Sequence, residues 1–112
     1  LMQNLEHLWL VNTQLLASGI EMIANAPALH NLKSLDLMGN GLGNEGAIML
    51  ANSPVLGKLE RLQVNFQTLF NPMEYYMYTE IFVGEEGALA LANSERLNLT
   101  EEERQKFRDH FS

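Results

Sequence analysis

The chain has no cysteine. No disulfide can brace it, and no thiolate is on hand as nucleophile or metal ligand. That lack fits a reducing compartment, the cytoplasm first, with a secreted effector as the alternative. No run of ~18 apolar residues is long enough to span a bilayer, and no basic-then-apolar leader ends in small residues. Basic residues are scarce: 7 Lys and Arg stand against 14 Asp and Glu, for a net charge of −7. A surface of that sign keeps a protein soluble and repels phosphate backbones and anionic lipid, so neither nucleic acid nor membrane is expected as a partner. Tryptophan occurs once, at Trp9, and the length of 112 residues is that of one domain.

What the chain does have is a repeat. Leu32, Leu35, Leu37 and Leu42 return 27 positions earlier as Leu5, Leu8, Leu10 and Leu15, and 27 later as Leu59, Leu62, Val64 and Leu69. A second half repeats in phase: Gly19, Ile23, Ala24, Asn25, Pro27 and Leu29 match Gly46, Leu50, Ala51, Asn52, Pro54 and Leu56. Gly87, Ala88, Leu91, Ala92, Asn93 and Leu97 form a third copy. Leu35 and Leu37, two apart, face one side of an extended segment. Asn40 and Gly41, between Gly39 and Gly43, make a turn in which glycine accepts positive φ and asparagine bonds nearby backbone. From Gly46 onward, Ala47, Leu50 and Ala51 fall at helical spacing, and Pro54 stops the helix. One such unit cannot bury its apolar edge alone, but stacked copies can.

The pattern LxxLxLxxNxL from Leu32 to Leu42 resembles a leucine-rich repeat. The following GAxxLANSPxL is similar to the ribonuclease-inhibitor-like branch, and especially to short bacterial repeats. The resemblance spans roughly residues 1–99. It implies an α/β, right-handed solenoid with a parallel sheet on the concave face and helices on the convex face. It also implies a non-enzymatic protein-binding role.

The first residues extend the phase. Leu1 to Leu5 sit in register with Ala28 to Leu32, so the chain starts in the last residues of a repeat. The expectation is a C-terminal piece of a longer solenoid, or an end covered by something else. Thr13 and Gln67 stand where the first and third repeats expect asparagine. Leu42 and Gly46 are four positions apart, whereas Leu69 and Gly87 are 18 apart, so the third copy carries an insertion of 14 residues. This insert, about residues 70–83, holds all three tyrosines, and six of the nine aromatics lie from Phe66 to Phe82. Its alternation around Tyr76, Tyr78 and Glu80 predicts a short strand or hairpin arm, used for binding or folded as a flap on the protein itself.

Residues 100–112 read as a C-terminal capping helix. Thr100 and Glu103 make a capping box, Glu101 to Glu103 put negative charge at the helix N-terminus, and Glu102 is placed to pair with Lys106. Phe107 and Phe111 share a face and are expected to cover the last repeat. Asn98-Leu99-Thr100 is a glycosylation sequon whose plainer use is the helix cap.

Little in the chain can carry chemistry. Gly41 to Gly46 spells GxGxxG between a strand and a helix, yet its glycines recur in phase with the leucines. The unit is also shorter than the ~30-residue βαβ of a dinucleotide site. No nucleotide or other cofactor is expected. His7, His30 and His110 lie in different elements, so no metal site is expected, and no serine sits in a nucleophile elbow. No catalytic residue is assigned.

What remains is a surface. Residues alternating with the strand leucines face outward in columns: His7, Ser34 and Arg61; Trp9, Asp36 and Gln63; Val11, Met38 and Asn65. Phe66 follows at the rim. Tryptophan and arginine are the residues from which binding hot spots are made, at ~2 kcal/mol or more each. With Tyr75, Tyr76 and Tyr78 of the insert, these columns form the predicted partner-binding surface for a protein. Two other roles are open: closing a longer repeat array, and self-association through the insert or the first strand.

Overall fold

The structure is a computed structural model in which residues 2–66 and 82–111 are described. Most of the insert, with Tyr75, Tyr76 and Tyr78, lies outside the described residues.

Three short strands form a parallel sheet in the order β1 (His7–Trp9), β2 (Ser34–Asp36), β3 (Arg61–Gln63). The register pairs His7 with Ser34 and Ser34 with Arg61, so the 27-residue period of the sequence is the spacing of the strands. Pairing continues past the strand ends: the Leu10 N–H donates to Asp36 O and the Leu37 N–H to Gln63 O, both at 2.9 Å. α1 (Leu16–Ala24) runs between β1 and β2 and α2 (Gly43–Ala51) between β2 and β3, while α3 (Glu85–Ala92) and α4 (Glu101–Asp109) follow β3. α2 begins at Gly43, ahead of the expected Gly46, because the Gly46 N–H already closes a helical bond to Leu42 O at 3.0 Å. The helix ends at Ala51, and Pro54 follows two residues after its C-cap, Asn52.

Strand leucines and helix residues share one core. Leu32, Leu35, Leu37, Leu50, Leu56, Leu59, Leu62 and Leu91 are wholly or almost wholly buried. Their first-repeat counterparts Leu5, Leu8, Leu10 and Leu15 are only half-buried. A buried leucine is worth roughly 1.5–3 kcal/mol, so the second and third repeats hold most of the apolar stabilisation.

Polar side chains stitch successive repeats. Asn40 is 1% exposed. Its amide nitrogen donates to Leu10 O and Leu37 O, and its Oδ1 accepts from the Thr13 N–H and hydroxyl at 2.9 and 2.8 Å. Ser53 Oγ donates to Ala24 O at 2.5 Å, and Ser94 Oγ donates to Ala51 O at 2.6 Å. Asn44 Oδ1 accepts from the Gly84 and Gly87 N–H groups, both at 2.8 Å.

α4 continues these series. The Ala92 carbonyl, in phase with those of Ala24 and Ala51, accepts from Arg104 Nη1 at 3.0 Å. The same guanidinium donates to Leu99 O, Ser94 O and Leu97 O. The Thr100 N–H donates to Glu60 O, as Ser34 does to Glu6 O and Arg61 to Lys33 O. Glu103 takes half of the expected capping box: its N–H donates to Thr100 Oγ1 at 3.1 Å. Its carboxylate turns instead to the outer edge of β3 and accepts from the Leu62 N–H at 3.1 Å. Lys106 pairs with Glu103 at 3.1 Å, not with the expected Glu102; the Glu103 carboxylate is held in place by the Leu62 N–H and so is a fixed target for the ammonium. Phe107 is buried and Phe111 half-buried against the last repeat. None of the described helices is long and apolar enough to cross a membrane.

Candidate functional site

Because the middle residue of each strand points into the core, its neighbours point out. His7, Trp9, Arg61 and Gln63 are exposed, and Ser34 and Asp36 half-buried. Register brings them together into two rows on the outer face of the sheet, His7–Ser34–Arg61 and Trp9–Asp36–Gln63. All six line an open groove of about 490 Å³, with Leu35 at its floor and Glu103 of α4 on the β3 side. His7 Nδ1 and Ser34 Oγ lie 2.6 Å apart, a hydrogen bond that fixes the imidazole over the sheet. Asp36 Oδ1 accepts from the Met38 N–H at 3.0 Å. Trp9 is 76% exposed, so the largest apolar side chain of the strands is not part of the core.

The remaining expected residues separate from this groove. Val11 is exposed and Met38 half-buried beyond the strand ends. Asn65 Oδ1 accepts from the Gly39 N–H, a repeat-to-repeat bond. Phe66 lies against α4, its ring 5.5 Å from Phe107, 4.5 Å from His110 and 6.3 Å from Phe111. Its backbone bridges to Val83, where the chain returns from the insert. Tyr75, Tyr76 and Tyr78 lie outside the described residues.

Glu103 joins the groove in addition to the expected residues, and Arg104, Ser53 and Ser94 bond the backbone of neighbouring segments. The serines carried a signal: each follows the asparagine that recurs in every copy, in the phase of the leucines. Glu103 and Arg104 fall outside the repeat, where no phase exists to read. The glycines of the GxGxxG stretch are occupied with backbone: Gly41 and Gly43 have φ of 61° and 63°. Among the described residues no group of three or more His, Asp or Glu side chains could hold a metal ion.

Residues 28–51 match the family model described as Leucine Rich repeat. Over that stretch the chain is similar to a leucine-rich repeat. The matched stretch contains β2 and α2, the second and most regular of the three copies. No curated protein and no solved structure matches the chain. Leucine-rich repeats generally mediate protein–protein contact and are typically non-enzymatic.

Proposed function

We propose that the chain is a non-enzymatic protein-recognition module that holds its partner on the outer face of the sheet. The supporting observation is the groove: alternate residues of three strands, 27 positions apart in sequence, converge there with Trp9 and Arg61 both exposed. Aromatic and arginine side chains on a rigid sheet lose little freedom on binding, which is why interfaces favour them. The proposed frame is a right-handed solenoid of the ribonuclease-inhibitor-like kind over residues 1–99. Parallel crossovers are right-handed in about 98% of cases. Residues 100–112 are the proposed cap, supported by Arg104, Thr100 and Glu103 occupying bonding positions that a further repeat would fill. The aromatic insert extends the surface in this reading.

The test pairs stability with capture. Trp9→Ala and Arg61→Ala should melt within about 2 °C of the parent, since exposed side chains away from the core contribute little. Both should lose a partner that the parent protein retains from its source cells. A fall of several degrees in melting temperature for either variant would make that residue structural and remove it from the surface.

A second reading is self-association, favoured by the half-buried leucines of the first repeat beside β1. Light scattering over a tenfold concentration range separates the two: a constant monomer mass removes self-association, and a mass that rises to a dimer supports it.

A further inference from the structure

Trp9 and Asp36 are register partners on β1 and β2, so their outward side chains rise from strands about 4.8 Å apart. The indole is largely exposed. One Asp36 oxygen is engaged by the Met38 N–H, and no cation of the described residues pairs with the carboxylate. The ion pairs found there join Lys33 to Glu6, Lys106 to Glu103 and Arg108 to Glu101. Arg61 and His7 stand in the neighbouring row of the same groove.

An aromatic face beside an unpaired carboxylate is what an ammonium or guanidinium ion binds. The ring quadrupole attracts the cation and the carboxylate supplies the opposite charge. The net charge of −7 draws cationic segments toward the molecule and keeps acidic ones away. Resting on the reading of this face as the partner surface, we infer that Trp9 and Asp36 form a seat for a lysine or arginine side chain of a protein partner. Arg61 sets the orientation. Its positive charge disfavours a second cation at the His7–Ser34–Arg61 row, so the partner's basic residue enters over Trp9.

Trp9 is the only tryptophan, so its fluorescence reports the seat directly. The probes are blocked pentapeptides Gly-Gly-Xaa-Gly-Gly with Arg, Lys, Gln or Glu at the centre, titrated at constant ionic strength. The Arg and Lys peptides should change the emission saturably. The Gln and Glu peptides should bind roughly threefold to tenfold more weakly, the factor that a cation–π contact and a partly screened ion pair supply. Asp36→Asn keeps an oxygen for the Met38 N–H and should remove the preference for cations. Equal response to Glu or Gln peptides overturns the cation seat while leaving the surface itself in place. So does undiminished arginine binding by Asp36→Asn. Emission unmoved by any Arg or Lys peptide also overturns the seat, and the capture experiment with Trp9→Ala then judges the surface separately.

Discussion

Left-handed backbone recurs at fixed places in the repeat. Gly39, Gly41 and Gly43 have φ of 80°, 61° and 63°, and 27 positions earlier Asn12, Gln14 and Leu16 have φ of 57°, 55° and 57°. The second repeat meets this need with residues that lack a Cβ, and the first does not. For an L-residue such backbone costs roughly 1–2 kcal/mol. In an ordinary helix alanine is more stable than glycine by about 1 kcal/mol. At position 16 the order should invert: Leu16→Gly should melt above Leu16→Ala in thermal denaturation. Asn40 makes the opposite case, a polar residue whose loss leaves several backbone groups unpartnered in the core. Asn40→Ala should cost about 2–4 kcal/mol in urea unfolding, since each unpartnered buried group costs about 1–3 kcal/mol. Both the glycine turn and the asparagine were legible in the second repeat because its residues advertise the backbone they adopt. Asn12 carries a weaker mark, since asparagine tolerates left-handed backbone, but Gln14 and Leu16 carry none, and only the structure reveals their conformation.

Among elements, the sheet was legible to the residue, because a leucine phase of 27 allows a single register. The terminal helix was legible only in outline. Thr100 marked its start, but the Glu103 bond to β3 and the Arg104 bonds back to Ala92, at the end of α3, and to the carbonyls that follow it come from tertiary packing that no repeat phase announces. Arg104 carries the most: it donates to carbonyls of Ala92, Ser94, Leu97 and Leu99. Arg104→Ala should lower stability by about 2–4 kcal/mol, and Arg104→Lys should recover little, because an ammonium cannot span four carbonyls as a planar fork does. Glu103→Ala exposes the outer edge of β3. The Leu62 amide should then exchange with solvent faster, while the Leu35 amide, inside the sheet, keeps its protection.

For the whole molecule, the groove is legible in large part in the sequence: alternation along each strand and the shared phase suffice to align His7, Ser34 and Arg61 beside Trp9, Asp36 and Gln63. Phe66 and Asn65 escaped that logic because pleating ends at the strand termini. Beyond them side chains follow local turns, one toward α4 and one toward Gly39. Glu103 reaches the groove from outside the periodic part altogether. The net charge of −7 acts at this scale too. If basic partners are steered to the groove, association should slow as ionic strength rises from 0.01 to 0.15 M, over which the screening length shrinks from about 30 to 8 Å. Dissociation should change less, and stopped-flow Trp9 fluorescence measures both rates.

Each repeat hands its successor the same set of acceptors that it draws on in its predecessor. Glu6 O, Lys33 O and Glu60 O receive a backbone N–H from the next segment, and Ala24 O, Ala51 O and Ala92 O receive a side-chain donor. A joint of this kind makes the array extensible. An extra copy of residues 32–58 spliced in after Lys58 would find the bonds of β2 waiting on one side and offer them again on the other. The lengthened chain should fold as one cooperative unit with a fourth strand and a wider groove. Growth by whole units would then be a route to new specificity that leaves both ends of the molecule untouched.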